Sequence, residues 1–395
     1  MAPSVWLLFL GILFLLGIFL KIYLLTALAV ILAGLSLLAG WWQRRSLVNV
    51  NYYRKLYYRR GFPGEQIPIQ ITVENRKFLP LSWLRAEDQW PTAVAPEDES
   101  ILKATHSPEF GMLVNLFSLR WFERTRRTYS ILLRKRGVYR LGPAQLESGD
   151  LFGLFEKVDD VSTLDTVTVF PQPLPFRDLR LPTEDPFGDR SARRRLYEDP
   201  NRPMGVRDYH PEDDFRHIHW PATAHTGDLQ VKVYQPISAQ VMVICLNVNT
   251  LPHYWEGTYP GLLEHLVRVT ATLVQRGLQD GYRVGLVSNG CLAHADQPFR
   301  VPPGRSPKQE ARLLEVLAGV TPFATISFER FLMAEMPRLP YGATVVIVTG
   351  LMNAALTETI FRIKQHGWRI TLLSFAQAAP PDIPGVNIIH QSFIE

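Results

Sequence analysis

The chain reads as three units: an N-terminal transmembrane helical hairpin, a small all-β sandwich and an α/β domain with a parallel sheet. Three patterns predict this. Residues 4 to 39 are almost wholly apolar. Short alternating runs fill residues 46 to 175. From Gln240 onward, buried strands alternate with helical periodicity. The expected boundaries are 1–42 for the hairpin, 43–175 for the sandwich, 176–238 for a linker with a polar motif, and 239–395 for the α/β domain.

Lys21 is the only charged side chain between Met1 and Gln43. One continuous helix over residues 4–39 would be about 54 Å long, against a bilayer core of about 30 Å. It would also place Lys21 mid-membrane, at about 2.5–3.5 kcal/mol. Two helices of about 17 residues turning near Lys21 avoid both problems, although no Gly or Pro lies within three residues of it. A signal peptide fits poorly, because no basic residue precedes Lys21 and the apolar run is too long. Trp41 and Trp42 form an interfacial belt, followed by Arg44, Arg45, Arg54, Lys55, Arg59 and Arg60. The positive-inside bias places this side in the cytoplasm, so the expected location is a cytoplasmic membrane, multi-pass, with the soluble domains on the cytoplasmic face.

In the middle region Ile67, Ile69, Ile71 and Val73 alternate with polar or small positions. Leu81 to Trp90 follows a turn, and Tyr129, Ile131 and Leu133 alternate again. Val138, Tyr139 and Leu141 come after Gly137. Such spacing predicts a sandwich. Its arginines, Arg124, Arg126, Arg127, Arg134 and Arg136, read as a solvated face, which a juxtamembrane domain can turn towards anionic lipid. Residues 172–204 are rich in Pro and Arg, including Arg193–Arg195, and read as a linker or arm.

In the last domain Val241–Val248, Tyr282–Ser288, Thr344–Val348, Arg369–Phe375 and Val386–His390 read as strands. Leu262 to Val274 has helical spacing. Ser306, Pro307 and Gln309 suggest a capping box before the next helix, which Gly319 ends. Further helices are expected over Ser327–Met336 and Asn353–His366. Ligands of such sheets bind at the carboxyl ends of the strands, where Asn247, Asn249 and Gly350 fall. Neither G-x-G-x-x-G nor G-x-x-x-x-G-K-[ST] occurs, which argues against a nucleotide. The net charge of +5 suits nucleic acid or an anionic membrane surface and is too small to choose between them. Cys245 and Cys291 exclude a disulfide framework, and the apolar run around Cys245 marks a buried thiol.

Two motifs carry a family resemblance. One is Arg136-Gly137-x-Tyr139-x-Leu141-Gly142-Pro143, running on to Asp150-Leu151-Phe152-Gly153-Leu154-Phe155. The other is Arg207-x-Tyr209, then Asp213-x-x-Arg216-x-Ile218-x-Trp220, then Ala224 and Leu229. With the hairpin in front, the chain resembles membrane-anchored members of the bacterial domain-of-unknown-function family 58. It departs from that family at Glu212, where Gly is usual, and at His225, where Arg is usual. The resemblance implies a last domain of von Willebrand factor type A-like topology. It also implies a MoxR-type AAA+ ATPase as partner and no settled activity. Type A domains commonly hold Mg²⁺ through Asp-x-Ser-x-Ser and a later Asp. Those positions fall here on Asn247, Asn249, Leu251 and Gly350, none of which offers an anionic oxygen. No cofactor is expected.

The segment from Gly205 to Lys232 concentrates histidines and aspartates, and two readings follow. In one, His217 and His219 lie on one face of a strand and bind zinc with Asp213, Asp214 or His225, making a metal-dependent hydrolase. In the other, Arg207 or Arg216 pairs with Asp213, Tyr209 and Trp220 anchor, Ile218 packs, and the segment braces the last domain or presents a partner surface. The second reading is preferred. It describes a non-enzymatic accessory or scaffold protein contacting lipid through residues 4–39 and a AAA+ ATPase or other protein, without nucleic acid.

Overall fold

The computed structural model of the chain describes residues 3–150, 155–179, 198–211, 213–236, 241–293, 295, 297–340 and 342–393. Arg193–Arg195, Glu212 and the motif residues Leu151–Leu154 lie outside the described residues. The chain forms two compact units, Met1–Phe170 and Pro171–Glu395.

The first unit opens with α1 (Pro3–Phe19) and α2 (Tyr23–Ser46). The turn between them closes without glycine. Lys21 takes a left-handed backbone, φ 53°. Its N–H donates to the Ile18 carbonyl, and Ile22 N–H donates to Gly17 O at 3.0 Å. This is the Schellman arrangement, built on a residue type that rarely adopts it. Gly17 sits where the helices approach: a Cβ there would lie 2.7 Å from Thr26 Cγ2. Among the described residues only α2 is long and apolar enough to cross a membrane.

The sandwich strands are β1 (Val50–Leu56), β2 (Arg60–Gly61), β3 (Gln66–Asn75), β4 (Leu81–Pro91), β5 (Val94–Pro96), β6 (Leu102–Ala104), β7 (Phe110–Leu119), β8 (Arg124–Leu133), β9 (Gly137–Leu141), β10 (Ala144–Gly149), β11 (Glu156–Val161) and β12 (Asp165–Val169). They form sheets of order β1-β3-β8-β5, β11-β10-β4-β7-β6 and β2-β12-β9. The alternation in β3 does what its pattern predicts: Ile67, Ile69, Ile71 and Val73 are all buried, packed in one core with Leu84, Trp90, Leu113 and Ile131.

Inside this apolar unit lies an ion pair. The Arg54 guanidinium donates Nε–H to Asp88 Oδ2 at 2.7 Å and Nη2–H to Oδ1 at 2.8 Å. Tyr52 O–H also donates to Asp88, at 2.7 Å, and Arg54 Nη1 reaches Thr163 O and Asp165. Burial, and then the Asp88 charge, push the Tyr52 hydroxyl well above its ordinary range, so it stays a donor. The Arg136–Pro143 motif reaches this cluster through Gly142. A Cβ on Gly142, whose φ is 98°, would lie 2.6 Å from Arg54 Nη2 and 2.8 Å from Thr163 O. Further along, Asp150 Oδ1 accepts the Phe155 N–H at 2.8 Å.

The second unit begins with a two-stranded ribbon, β13 (Glu198–Asp208) and β14 (Gln230–Pro236), with α3 (Trp220–Thr226) between them. Then follow β15 (Val241–Leu246), α4 (Pro260–Gln279), β16 (Arg283–Leu292), β17 (Pro298–Gly304), α5 (Gln309–Ala318), β18 (Val320–Ala324), α6 (Phe328–Glu335), β19 (Thr344–Thr349), α7 (Ala354–Gln365), β20 (Arg369–Ser374) and β21 (Asn387–His390). The main sheet runs β17-β16-β15-β19-β20-β21. Alternate residues face opposite ways: Val243, Cys245, Val345 and Ile347 pack with Phe328, Ile360 and Ile363 of α6 and α7. Met242, on the other face, reaches Gly277 of α4. Cys245 is fully buried, and burial pushes its thiol well above the usual range, which leaves it inert.

Two expectations need correction. The sheet is not wholly parallel, because β17 pairs antiparallel with β16. Only five residues separate Leu292 from Pro298 in the chain, and parallel neighbours need a crossover of about a dozen residues. The capping box at Ser306 does not form either. Helix α5 starts at Gln309, whose side-chain amide donates instead to Val284 O and Pro302 O, both at 3.0 Å.

Candidate functional site: strand ends and a braced ribbon

The sheet order places a crevice at the carboxyl ends of β15 and β19. The chain leaves β15 towards α4 on one face and leaves β19 towards α7 on the other, so the two connections diverge. Such a switch point is where open α/β sheets bind ligands. Asn247, Asn249 and Gly350 stand there, and the structure joins the two asparagines in one network. Asn247 Nδ2 donates to Thr349 Oγ1 at 3.0 Å, and Asn247 Oδ1 accepts the Asn249 N–H at 2.9 Å. Asn289 of β16 donates to Asn249 Oδ1 and accepts the Val248 N–H, both at 3.1 Å. The ends of β15 and β19 and the interior of β16 are thus tied by amide groups bonded to one another, to Thr349 and to backbone N–H groups.

A hard cation does not fit this donor set. Divalent Mg²⁺ or Ca²⁺ takes anionic oxygens, and here the nearby carboxylate, Glu329, already accepts from Asn353 Nδ2 at 2.8 Å. At Gly350 the space for a ligating side chain is filled: a Cβ would lie 2.7 Å from Leu262 Cδ2. No group of three His, Cys, Asp or Glu side chains placed to hold a metal occurs among the described residues.

Beside the network lie two depressions. The larger, about 1210 Å³, is mainly apolar and includes Tyr259, Leu351, Met352, Phe361, Phe375 and Phe393. The smaller, about 250 Å³, holds Asn247, Asn249, Trp255, Glu329 and Arg330. Asn353 belongs to both and caps α7, accepting the Leu356 N–H at 2.7 Å. This face offers apolar surface with a few fixed amides.

The Arg207–Leu229 motif builds a braced ribbon. Arg207 grips Asp213 with both terminal nitrogens, at 2.7 and 2.5 Å, and the His210 N–H adds a third bond to the same carboxylate. The Arg207 hydrogen bond, and then the His210 N–H, hold the Asp213 carboxyl down at about 2. Ile218 is buried and bridges Val231 of β14. Tyr209 packs on Phe215, ring centroids 5.6 Å apart. Trp220 and Phe215 are 64% and 68% exposed, with Arg216 exposed between them.

The histidines are not on a strand. Phe215–His217 is a single 3₁₀ turn capped by Asp214, which accepts the Arg216 N–H at 3.0 Å. His219 is the N-cap of α3, its Nδ1 accepting the Ala222 N–H at 3.0 Å. His217 and His219 therefore do not share the strand face that the zinc reading required. Asp213 is committed to Arg207, and Asp214 and His219 to backbone. Asp213, Arg207 and Ile218 are brought together as a brace; Arg216 and Trp220 are displayed.

Two contributors had escaped the sequence reading. Phe215 carried no periodic signal. Asn289 sits inside a strand, where only the fold brings it to Asn249.

The brace has a pH signature. The folded pKa of Asp213 lies below its unfolded value, so its contribution is present above about 3.8 and is lost as pH falls through about 2. Carboxyl NMR titration is expected to place Asp213 near the low value, and Arg207→Ala to return it towards 3.8. An unchanged titration in that variant would disprove the pairing.

Residues 205–387 match the family described as "Protein of unknown function DUF58". The chain is 23% identical over 321 residues to "Uncharacterized protein YeaD" of Bacillus subtilis (strain 168), an overlap covering 78% of this chain and 72% of that relative. Among solved structures, the CARDB domain of the PF1109 protein from Pyrococcus furiosus is 12% identical, with 30% of this chain and 91% of that chain covered and a TM-score of 0.20. The sporulation control protein Spo0M from Bacillus subtilis is 14% identical, with 31% and 49% covered and a TM-score of 0.19. Overlaps that slight say nothing about activity.

Proposed function

We propose that the chain is a membrane-anchored DUF58 protein that acts without chemistry of its own, as a docking or scaffold protein for a partner in the assembly or maturation of other complexes. The observation that carries this is the division of labour in the 205–232 segment: Arg207, Asp213 and Ile218 hold it rigid, while Phe215, Arg216 and Trp220 stand exposed on it. Aromatic and arginine side chains held in place dominate binding hot spots. A type A-like topology for the last domain is supported by the 3-2-1-4-5-6 strand order with its antiparallel third strand. The partner proposed is a MoxR-type AAA+ ATPase, the class that the family resemblance implies.

Anchoring rests on α2, whose apolar side chains such as Leu24, Ile31 and Leu37 are exposed. The bare face of α1 (Leu8, Phe9, Leu15) supports a two-helix hairpin rather than a single span. Arg44 and Arg45 in the last turn of α2 favour the cytoplasm for the domains that follow.

Detergent-solubilised full-length protein is expected to capture a MoxR-type ATPase in a pull-down. Trp220→Ala is expected to weaken capture about 30-fold, the equivalent of about 2 kcal/mol at a hot spot. Arg216→Ala should act in the same direction, and circular dichroism should be unchanged in both. No capture by the wild type, or equal capture by both variants, would sink the proposal.

A further inference from the structure

We propose that two loops of the sandwich, Arg76–Pro80 and Arg120–Glu123, form an aromatic foot that inserts Phe78, Trp121 and Phe122 into the interfacial layer of the membrane that α2 enters. This rests on the reading of α2 as a membrane anchor.

The first observation is exposure without a packing reason. Phe78 is 74% exposed, Trp121 58% and Phe122 67%, whereas Trp90 in the core of the same sandwich is fully buried. Phe78 and Trp121 stack on each other, centroids 5.4 Å apart and 7° from parallel, so the two loops present one apolar surface.

The second is location. The loops are fastened to the chain where it leaves α2. Lys77 Nζ donates to Ser46 O and Val48 O, and Arg76 N–H donates to Asn49 O at 2.9 Å. Ser46 is the last residue of α2. The foot therefore sits at the level of the helix end, beside exposed Arg44 and Arg45. Aromatic rings concentrate at that depth of a bilayer, and basic side chains there attract anionic headgroups.

The third is rigidity. Asn75 Nδ2 donates to Leu79 O and to Arg120 O, locking one loop to the other. Glu123 accepts the Arg120 N–H at 2.6 Å, and Phe122 N–H donates to Lys77 O. Phe122 itself adopts a left-handed backbone, φ 53°, which is costly for a bulky residue and is kept only where the surroundings impose it. The strain turns an apolar ring outward. A soluble surface gains nothing from that, whereas a bilayer interface does. Of the cations around the foot, Arg44, Arg45 and Arg120 fit an anionic lipid surface, while Arg76 is paired with Glu74 at 2.9 Å.

The test uses the full chain in liposomes containing anionic lipid. Cys245 and Cys291 are buried, so Phe78→Cys, Phe122→Cys and a control, Ser107→Cys, can each carry an environment-sensitive fluorophore. Ser107 lies beyond the opposite end of β7, about 30 Å along the strand. Expected are flotation of all three proteins with the liposomes, blue-shifted emission at 78 and 122, and quenching there by shallow lipid-borne nitroxides, with the label at 107 quenched by aqueous iodide only. Flotation with 78 and 122 behaving like 107 overturns the foot and leaves the anchor intact. Failure to float overturns the anchor, and the foot with it. Labels shielded from iodide yet untouched by lipid nitroxides mean that protein covers the patch, which also overturns the proposal.

Discussion

Asp88→Ala is expected to destabilise the first unit by about 3–5 kcal/mol, the range for breaking a buried ion pair by removing one partner. The side chains of Asp88 and Arg54 are 0% and 1% exposed. Without Asp88 the guanidinium keeps only the Thr163 carbonyl at 3.0 Å and one Asp165 oxygen at 3.2 Å, both on Nη1, and Tyr52 loses its acceptor. Replacing both partners by apolar residues of similar volume, Arg54→Met with Asp88→Leu, should cost less, because the fully buried guanidinium and carboxylate leave together and only Asp165, which keeps Arg59 at 3.8 Å, loses a partner. Chemical denaturation of the three proteins decides it: a double variant as unstable as Asp88→Ala would show that shape, not charge, is at stake. Gly142→Ala should resemble Asp88→Ala in kind, since its methyl would meet the same guanidinium from a backbone that favours glycine.

Asn289→Ala is expected to disturb the strand-end face of the second unit. Asn289 is fully buried, and its loss leaves the Val248 N–H and Asn249 Oδ1 without their partners. Each buried polar group so orphaned costs about 1–3 kcal/mol. Hydrogen exchange should then rise locally at Val248 and Asn249 as well as globally. If stability and exchange match the wild type, the network is not a structural tie. Asn289→Asp offers a further comparison: it removes the donor to Asn249 and places a carboxylate in the network, so any gain of Mg²⁺ affinity would show that only the missing charge keeps a cation away.

Much of the local architecture was readable from the chain. The apolar run interrupted by Lys21, the Ile67–Ile69–Ile71–Val73 alternation and the buried strands of the last domain all appear where their periodicity placed them, because each signal is short-range and repeats over several residues. The 205–232 segment was read less well. Its Arg207–Asp213 pair was among the expected pairings, but His217 and His219 were set on a strand. His219 is not one of the residue types that usually cap helices, so the start of α3 at Trp220 left no legible cap signal. The antiparallel β17 was hidden by its Pro302, Pro303 and Gly304, which break a strand pattern.

What the sequence determined alone was chemistry by omission and position by pattern. The strand-end positions carry no carboxylate, no phosphate loop opens a helix, and apolar residues are spaced for an anchor, a sandwich and an α/β sheet. What only the tertiary structure decided was which polar groups meet. Arg54 and Asp88 are 34 residues apart, Asn249 and Asn289 are 40 apart, and Lys77 reaches back 31 residues to Ser46. Burial energy depends on composition and period, which a sequence displays. A hydrogen bond depends on ångström-scale placement of two distant side chains, which exists only once the chain has folded.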